Sequence, residues 1–326
     1  MKFRTEIDIP KSEIQFEHSD NILTLGSCFA ENISKYFSYY KFNILENPFG
    51  VLYNPVSIYN SLKFTIENKQ FLKEDLIFDQ SEYHSFFHHS DFSNHNYEAC
   101  LSNINDNLLV TNEYLKECNK LIISFGTSYV FRHKERNIIV SNCHKIPQNE
   151  FERFRLTVDE TKDYLQKIID TLKIHNSALS IIFTVSPVRH WKDGAVDNQL
   201  SKSILLLAIN EIVSKNNNCE YFPSYEIMMD DLRDYRFYAE DLIHPNKIAT
   251  DYIWEKFSEN HFTSECFKVM NEVKKIVQAV MHKPRNLKSA VHLKFLDTQL
   301  KYINELSNKY VYINFTDEIN FIKSQF

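Results

Sequence analysis

The chain has 326 residues, of which 43% are hydrophobic and 25% are charged, and its formal net charge is -6 at pH 7. This length allows two domains or one large domain with additions, and the composition is that of a globular protein with a sizeable core. A mildly acidic chain without a basic face argues against nucleic acid as a partner.

The N-terminal residues lack the apolar segment of a secretory signal, and the chain contains no run of 18 or more apolar residues. We therefore expect a cytoplasmic protein with no transmembrane helix and no membrane partner. The six cysteines are scattered and include no Cys-x-x-Cys pair, which predicts reduced thiols and no disulfide framework.

Apolar periodicity and capping residues predict strands that alternate with helices. In chain order, the predicted elements are a strand at 21–25, a helix at 28–40, a strand at 42–45, a helix at 55–63, strands at 121–125 and 137–141, a helix at 157–175, a strand at 178–185, a helix at 197–215, a strand at 219–225 and helices at 245–262, 264–282 and 290–307. The helix near 157 opens with a capping box of Thr157 and Glu160. Such alternation predicts an α/β fold with a parallel sheet.

This pattern predicts a catalytic domain at 15–262 and a helical C-terminal extension at 263–326, which could serve oligomerisation. A linker is expected at 283–286, and the segment 67–118 is interpreted as an insertion whose residues 83–87 form a lid. This segment is rich in histidine, but the histidines lack the spacing of a metal site. We therefore predict no metal and no cofactor, and we interpret His84 as a residue that either lines the substrate site or lies on the surface.

Glycine is rare in this chain, with four residues where an average usage of about 7% would give roughly two dozen. The four are Gly26, Gly50, Gly126 and Gly194. Because glycine is hard to replace where φ is positive or where backbones approach closely, each is a candidate for a special backbone position.

Four short segments follow predicted strands, at 26–28, 47–50, 126–128 and 186–190. Ligands of open parallel sheets bind beyond the carboxyl ends of the strands, so these segments are expected to share one rim. The loop that carries Asp241 and His244 precedes the last helix of the same domain and is expected at this rim.

Ser27 and Cys28 place a hydroxyl and a thiol where a strand turns into a helix. The positive end of the helix dipole stabilises an anion there and is expected to lower the pKa of a thiol. His244 can act as a general base, and Asp241 can hold its tautomer. The competing interpretations are that Ser27 caps the helix and that Cys28 is a small core residue.

Residues 25–30, LGSCFA, resemble the motif after which the GSCFA family is named, and the segments 186–190 and 241–245 resemble later blocks of that family. The resemblance covers about residues 20–260. It implies a place in the SGNH/GDSL-hydrolase-like superfamily, with a flavodoxin-like three-layer αβα sandwich. It also implies ester chemistry, with a nucleophile in the first block and Asp-x-x-His in the last.

Two departures from the superfamily pattern leave roles open. Laying Gly-Asp-Ser over residues 26–28 makes Cys28 the nucleophile, whereas a shift of one residue makes it Ser27. The Gly-x-Asn of the third block is replaced by Gly126, Thr127 and a serine. We therefore expect the oxyanion donors to include Thr127, the Gly50 amide and the amides near 27–28.

Arg189 and His190 directly follow a predicted strand, and they are either a surface pair or a contact for an anionic group of the substrate. The resulting hypothesis is an acyl esterase or O-acyltransferase that acts on a small-molecule or carbohydrate ester through an acyl-enzyme. The alternatives are a thioesterase-like cysteine enzyme and a binding module that keeps the fold without the chemistry.

Overall fold

A computed structural model describes residues 5–282, 284 and 286–326 of the chain. Lys283 and Arg285 of the expected linker lie outside the described residues. No helix in the described part of the chain is both long enough and apolar enough to cross a bilayer.

The described residues contain ten strands and ten α-helices, together with short 3-10 and π turns. The strands are β1 (Asn21–Gly26), β2 (Asn43–Glu46), β3 (Ile77–Asp79), β4 (Glu82–His84), β5 (Lys120–Phe125), β6 (Tyr129–His133), β7 (Ile138–Val140), β8 (Phe151–Arg155), β9 (Ser180–Val185) and β10 (Cys219–Phe222). The helices are α1 (Cys28–Tyr39), α2 (Pro55–Ile66), α3 (Tyr97–Glu117), α4 (Val158–His175), α5 (Gly194–Val213), α6 (Ser224–Glu226), α7 (Lys247–His261), α8 (Ser264–Met281), α9 (Ala290–Lys309) and α10 (Thr316–Lys323).

The central sheet has five parallel strands in the order β10-β9-β5-β1-β2. When its strands are numbered along the chain, this is the flavodoxin-like order 2-1-3-4-5. The order reverses between β1 and β5, so a crevice forms beyond their carboxyl ends, which is where ligands bind in such sheets. The predicted α/β fold with a flavodoxin-like parallel sheet is confirmed.

Both faces of this sheet are covered, because successive side chains of a strand point to opposite faces. Leu23 and Leu25 pack with α2, α3, α4 and α5 in the larger core. Ile22 packs on the other face with α1 and α7. Thr24 also points to that face, where its hydroxyl lies 2.7 Å from the Ser34 hydroxyl of α1. The result is three layers, as predicted.

Two antiparallel sheets lie outside the central one. The strands β3 and β4 form a hairpin, and a second sheet has the order β7-β6-β8. Phe86 is buried with Val140 and Phe151 of the second sheet, and a lid function of residues 83–87 stays a prediction. Within the segment 67–118, α3 buries Ile104 and Leu108 in the larger core, so this helix is part of the sandwich.

The C-terminal helices α8, α9 and α10 form an apolar cluster of their own, which includes Val273 and Ile303. Cys266 and Met270 at the start of α8 pack instead into the α1 and α7 side of the sandwich. Glu318 of α10 forms a 2.6 Å ion pair with Lys41, just beyond α1.

Candidate active site

The turn between β1 and α1 requires glycine at position 26. Gly26 has φ of 129°, and a Cβ on this residue would lie 2.1 Å from the Ser124 carbonyl oxygen of β5. The Gly26 amide donates to Asn47 Oδ1 at 2.9 Å. Close approach of β1 to β5 therefore fixes the path of the chain into α1.

Ser27 is the N-cap of α1, and its side chain faces inward. The residue is 1% exposed, and its Oγ accepts the Phe29 amide. The same Oγ lies 2.8 Å from Ser124 Oγ. These contacts are those of a capping residue, and they turn the hydroxyl away from His244.

Cys28 is half-buried, and its Sγ lies 3.9 Å from His244 Nε2. This distance is long for a hydrogen bond from a thiol, and catalytic hydrogen bonds often tighten only when substrate binds. Of the two candidate nucleophiles, the structure brings Cys28 to the imidazole.

Asp241 orients His244 through three hydrogen bonds. Oδ2 accepts from His244 Nδ1 at 2.6 Å, while Oδ1 accepts the amides of Ile243 and His244, each at 2.9 Å. The two amides and the imidazole lower the pKa of Asp241 to about 2. A proton on Nδ1 leaves Nε2 as an acceptor toward Cys28. Leu242 takes φ of 60°, which lets the loop close on itself.

The sequence-based expectation of an acidified thiol is wrong in direction. Burial raises the pKa of Cys28 above its ordinary value, and the charge of Glu31 raises it further. The amides of Cys28 and Phe29 and the charge of Lys202 act in the opposite direction but do not outweigh desolvation. The thiol therefore needs a base to ionise at neutral pH.

The predicted oxyanion donors at 50 and 126–127 are already used. The Gly50 amide donates to the Asn47 carbonyl at 2.7 Å, and the amides of Gly126 and Thr127 donate to the Tyr53 carbonyl at 2.8 and 3.0 Å. The Thr127 hydroxyl lies 3.0 Å from Ser201 Oγ. These contacts fasten the rim loops and occupy the three backbone amides, while either hydroxyl of the Thr127–Ser201 pair can be the donor.

Two donors near the turn between β1 and α1 donate to no other residue among the described residues. One is the Cys28 amide at the start of α1. The other is Asn47 Nδ2, which is buried, while Oδ1 of the same side chain accepts the Gly26 amide. Asn47 was not predicted, although it opens one of the four rim segments.

Arg189 lines a pocket of about 520 Å³ beside the loop that carries Asp241 and His244. The other lining residues are Trp191, Met229, Arg233, Asp234, Tyr235, Tyr238, Asp241, Leu242 and Ile243. The Arg189 Nη2 donates to the Ala195 carbonyl at 3.3 Å, and its guanidinium lies 5.5 Å from the Trp191 ring. A structural pocket thus adjoins the Asp241–His244 pair.

His190 packs edge-on against Tyr53, with 5.3 Å between ring centroids, and its ring limits the space at Gly126. Burial lowers the pKa of His190 to about 4, and the charges of Lys202, Arg153 and His244 also lower it. The His190 ring is therefore neutral at pH 7. It lies close enough to His244 for a charge on His244 to lower its pKa.

His84 makes no hydrogen bond or ring contact with Cys28 or His244 in the described part of the chain. Its Nδ1 lies 2.7 Å from Ser93 Oγ, and its ring stacks on His144 with 4.7 Å between centroids. Within residues 5–282, 284 and 286–326, no group of three or more His, Cys, Asp or Glu side chains is arranged to hold a metal ion.

The sequence predicted a helix at 197–215, but Lys202 was not among the predicted site residues. Its side chain is fully buried beneath the rim, and its Nζ donates to the Ser186 carbonyl at 2.7 Å. Burial lowers its pKa to about 7. Helical periodicity places position 202 on the buried face three residues before Leu205, and a lysine on that face was the available signal.

Comparison with family models gives two matches. The model described as GSCFA family matches residues 21–257, and the model described as GSCFA domain protein, C-terminal domain, matches residues 273–326. Among curated proteins, none matches this chain.

One similar solved structure is entitled "The structure of a putative platelet activating factor from Streptococcus pneumonia". The two chains are 13% identical, and the alignment covers 73% of this chain and 84% of the other, with a TM-score of 0.37.

Proposed function

The chain belongs to the GSCFA family, and from this premise we propose that it is an acyl esterase or O-acyltransferase of the SGNH type that uses Cys28 as its nucleophile. The observation that carries this proposal is the continuous arrangement of Cys28 Sγ, the His244 imidazole and the Asp241 carboxylate at one rim of the sheet. A nucleophile, a base and a group that orients the base are what acyl transfer requires.

In the proposed reaction, His244 Nε2 takes the proton of the Cys28 thiol, and Sγ attacks the carbonyl carbon of the ester. The C–O bond to the leaving alcohol then breaks, and the imidazolium gives its proton to the departing oxygen. His244 Nε2 then takes a proton from water or from an acceptor hydroxyl, whose oxygen attacks the carbonyl carbon of the remaining thioester. The C–S bond breaks, the acyl group leaves on that oxygen, and the imidazolium returns the proton to Cys28 Sγ. Asp241 stabilises the imidazolium throughout, because it accepts from Nδ1.

The oxyanion of the tetrahedral intermediate is assigned to the donors without a protein acceptor. The Cys28 amide and Asn47 Nδ2 donate to no other residue in the described part of the chain. The Gly50 amide already donates to the Asn47 carbonyl and is left out of this assignment, while the Thr127 hydroxyl stays a candidate donor.

The pocket that Arg189 lines is the proposed substrate subsite. Arg233 pairs with Asp230, Arg236 pairs with Asp234 at 3.1 Å, and His244 pairs with Asp241 at 2.6 Å. Arg189 has no carboxylate partner in the described part of the chain. The pocket therefore favours esters that carry an anionic or strongly polar substituent, carbohydrate esters included.

All six cysteines are free, and this suits a reducing compartment such as the cytoplasm. A thiol nucleophile would be inactivated by stable oxidation, so the same compartment suits the proposed chemistry.

The test is a panel of acetyl and longer-chain esters assayed with the wild type, Cys28→Ala, His244→Ala and Asp241→Asn. We expect hydrolysis by the wild type, loss of activity in the first two variants and a large decrease in the third. Trapping of an acyl group on Cys28, detected by mass spectrometry, would identify the intermediate. Binding of esters without turnover by any form of the protein would instead support the non-catalytic binding module.

A further inference from the structure

Lys202 is unusual because its charge is buried without a carboxylate. It is fully buried, and it is the one buried lysine or arginine in the described ranges. Its Nζ donates to the Ser186 carbonyl and lies 5.6 Å from the Tyr225 ring centroid. Within the described residues, no Asp or Glu lies within ion-pair distance of this ammonium, although Glu and Asp side chains pair with lysines throughout the surface.

The fold itself does not need a cation at this position. Of the neighbouring buried positions of α5, Leu205, Ala208 and Ile209 pack in the larger core, while the uncharged Asn198 and Ser201 accept from the His190 and Ser128 amides. Burying an ammonium costs several kcal/mol unless it is compensated, and an apolar side chain of similar length would avoid that cost. Lys202 therefore calls for an explanation outside packing.

The location of Lys202 connects it with the active site. Ser186, its hydrogen-bond acceptor, follows β9, and the Ser186 amide donates to the Phe125 carbonyl at the end of β5. The next strand of the sheet is β1, which leads directly to Cys28. The adjacent Ser201 hydroxyl lies 3.0 Å from the Thr127 hydroxyl, which fastens this turn of α5 to the same rim.

Lys202 and Cys28 each change the pKa of the other through their charges. Lys202 lowers the pKa of Cys28, and a Cys28 thiolate raises the pKa of Lys202. The other titratable or charged groups that act on this pair come from five parts of the structure. They are Glu31 of α1, Tyr53 before α2, Arg189 and His190 after β9, Tyr225 of α6, and His244 of the loop before α7.

We propose that Lys202 is a positioning residue that supplies the positive charge opposite the Cys28 thiolate. When His244 Nε2 removes the thiol proton, the electron pair stays on Sγ, and the buried ammonium offsets the negative charge. The inference rests on the proposed role of Cys28 as nucleophile. It also explains how a thiol that burial makes less acidic can still ionise at the rim.

The experiment measures the alkylation of Cys28 by iodoacetamide from pH 5 to pH 10, read on the Cys28 peptide by mass spectrometry. The pKa of Lys202 is about 7, so its ammonium is the main form only below that pH. We therefore expect Lys202→Met to slow the alkylation of Cys28 about tenfold between pH 5 and pH 7, the size of effect that a nearby opposite charge produces, and to approach the wild-type rate above pH 9. The matched control is Lys192→Met, which removes an exposed charge of the same helical region and should leave the profile unchanged.

Thermal unfolding of each variant separates this role from a structural one. If Lys202 serves only to hold Ser186, Lys202→Met unfolds at lower temperature while the alkylation profile coincides with that of the wild type, and the proposal is overturned. Lys202→Gln provides a second uncharged variant that keeps a donor for Ser186, should the methionine variant fail to fold. A profile of Lys202→Gln that coincides with the wild type has the same consequence.

The failure of this inference differs from the failure of the proposed function. If the alkylation profile shifts but no ester is hydrolysed, the charge pairing of Lys202 and Cys28 stands and the esterase proposal falls. If esters are hydrolysed through Cys28 and the profiles coincide, the esterase stands and Lys202 has no role in ionising the thiol.

Discussion

The Sγ atom of Cys28 lies 3.9 Å from Nε2 of His244, although 216 positions separate the two residues in the chain. Cys28 is placed by the end of β1, and His244 by a loop that Asp241 closes before α7. The packing of the sheet against its helices therefore brings Cys28 and His244 together. Substitutions at the β1–α1 turn and in the rim loops are expected to affect stability and reactivity separately.

Ser27→Ala is expected to weaken folding while sparing the chemistry. The variant loses the N-cap of α1 and the contact with Ser124, so the free energy of unfolding should fall by about 1 kcal/mol. Because the Ser27 hydroxyl faces inward, alkylation of Cys28 should continue in the folded variant. Urea unfolding and iodoacetamide labelling measure the two effects. Loss of labelling in a folded Ser27→Ala protein would contradict the assignment of Ser27 as a cap.

The reactivity of Cys28 should rise toward alkaline pH. Burial raises the pKa of this thiol, so the thiolate fraction is small in mildly acidic solution and grows as pH increases. We expect little iodoacetamide labelling near pH 6 and progressively faster labelling above pH 8. The exposed thiol of a denatured sample is the reference. Labelling of folded protein that is faster than this reference at pH 6 would disprove the raised pKa.

The Asn47 side chain accepts the Gly26 amide and is proposed to donate to the oxyanion, and Asn47→Asp removes only the second of these contacts. The carboxylate can still accept the Gly26 amide, so the turn should keep its conformation. It cannot donate to an oxyanion, and we expect kcat to fall by about 100-fold, the usual loss for one such donor. Thermal unfolding should show a folded variant. Wild-type kcat in Asn47→Asp would remove Asn47 from the proposed oxyanion site.

Gly26→Ala and Gly194→Ala form a matched pair. Both positions have positive φ, but a Cβ at Gly26 meets the Ser124 carbonyl at 2.1 Å, whereas a Cβ at Gly194 meets nothing within 4 Å. We expect Gly194→Ala to cost about 1 kcal/mol of unfolding free energy from backbone strain. Gly26→Ala should cost roughly 3 kcal/mol or more, since strain and overlap add. Equal losses in chemical denaturation would show that the β1–β5 approach is less tight than described.

Buried histidines should make the fold sensitive to acid. Burial lowers the pKa of His88 to about 3 and that of His144 to about 4, whereas both take up protons near pH 6.5 when unfolded. Between these values the unfolded chain binds more protons, so stability falls as pH decreases. The loss at pH 4.5 should be roughly 2 kcal/mol for each histidine.

Urea unfolding at pH 7 and pH 4.5 checks this expectation. His144→Gln should lose less stability than the wild type between the two pH values, because one of the buried imidazoles is gone. His95→Gln is the control, since the His95 side chain is 77% exposed. An identical pH dependence in wild type and His144→Gln would mean that His144 does not stay neutral in the fold.

Much of the architecture could be predicted from local patterns. The run at 21–25 became β1, and the capping box of Thr157 and Glu160 opens α4 as expected. The alternation of strands and helices was enough to predict a parallel sheet, because each element is recognised from neighbouring residues, and the resemblance to the GSCFA family implied the three layers. The antiparallel strands β6 and β8 were not predicted, since their pairing depends on contacts with each other and with Val56 of α2.

The sequence by itself determined the parts of the site that are local. The glycine at the end of β1, the helix that starts at Cys28 and the pairing of Asp241 with His244 three residues later all follow from short-range geometry. Tertiary structure alone decided that Cys28 and not Ser27 meets the imidazole, that Asn47 keeps an unpaired donor, and that Lys202 donates to the Ser186 carbonyl. The reason is that desolvation and long-range contacts arise only when elements distant in the chain pack together, and these two effects set the direction of the Cys28 pKa.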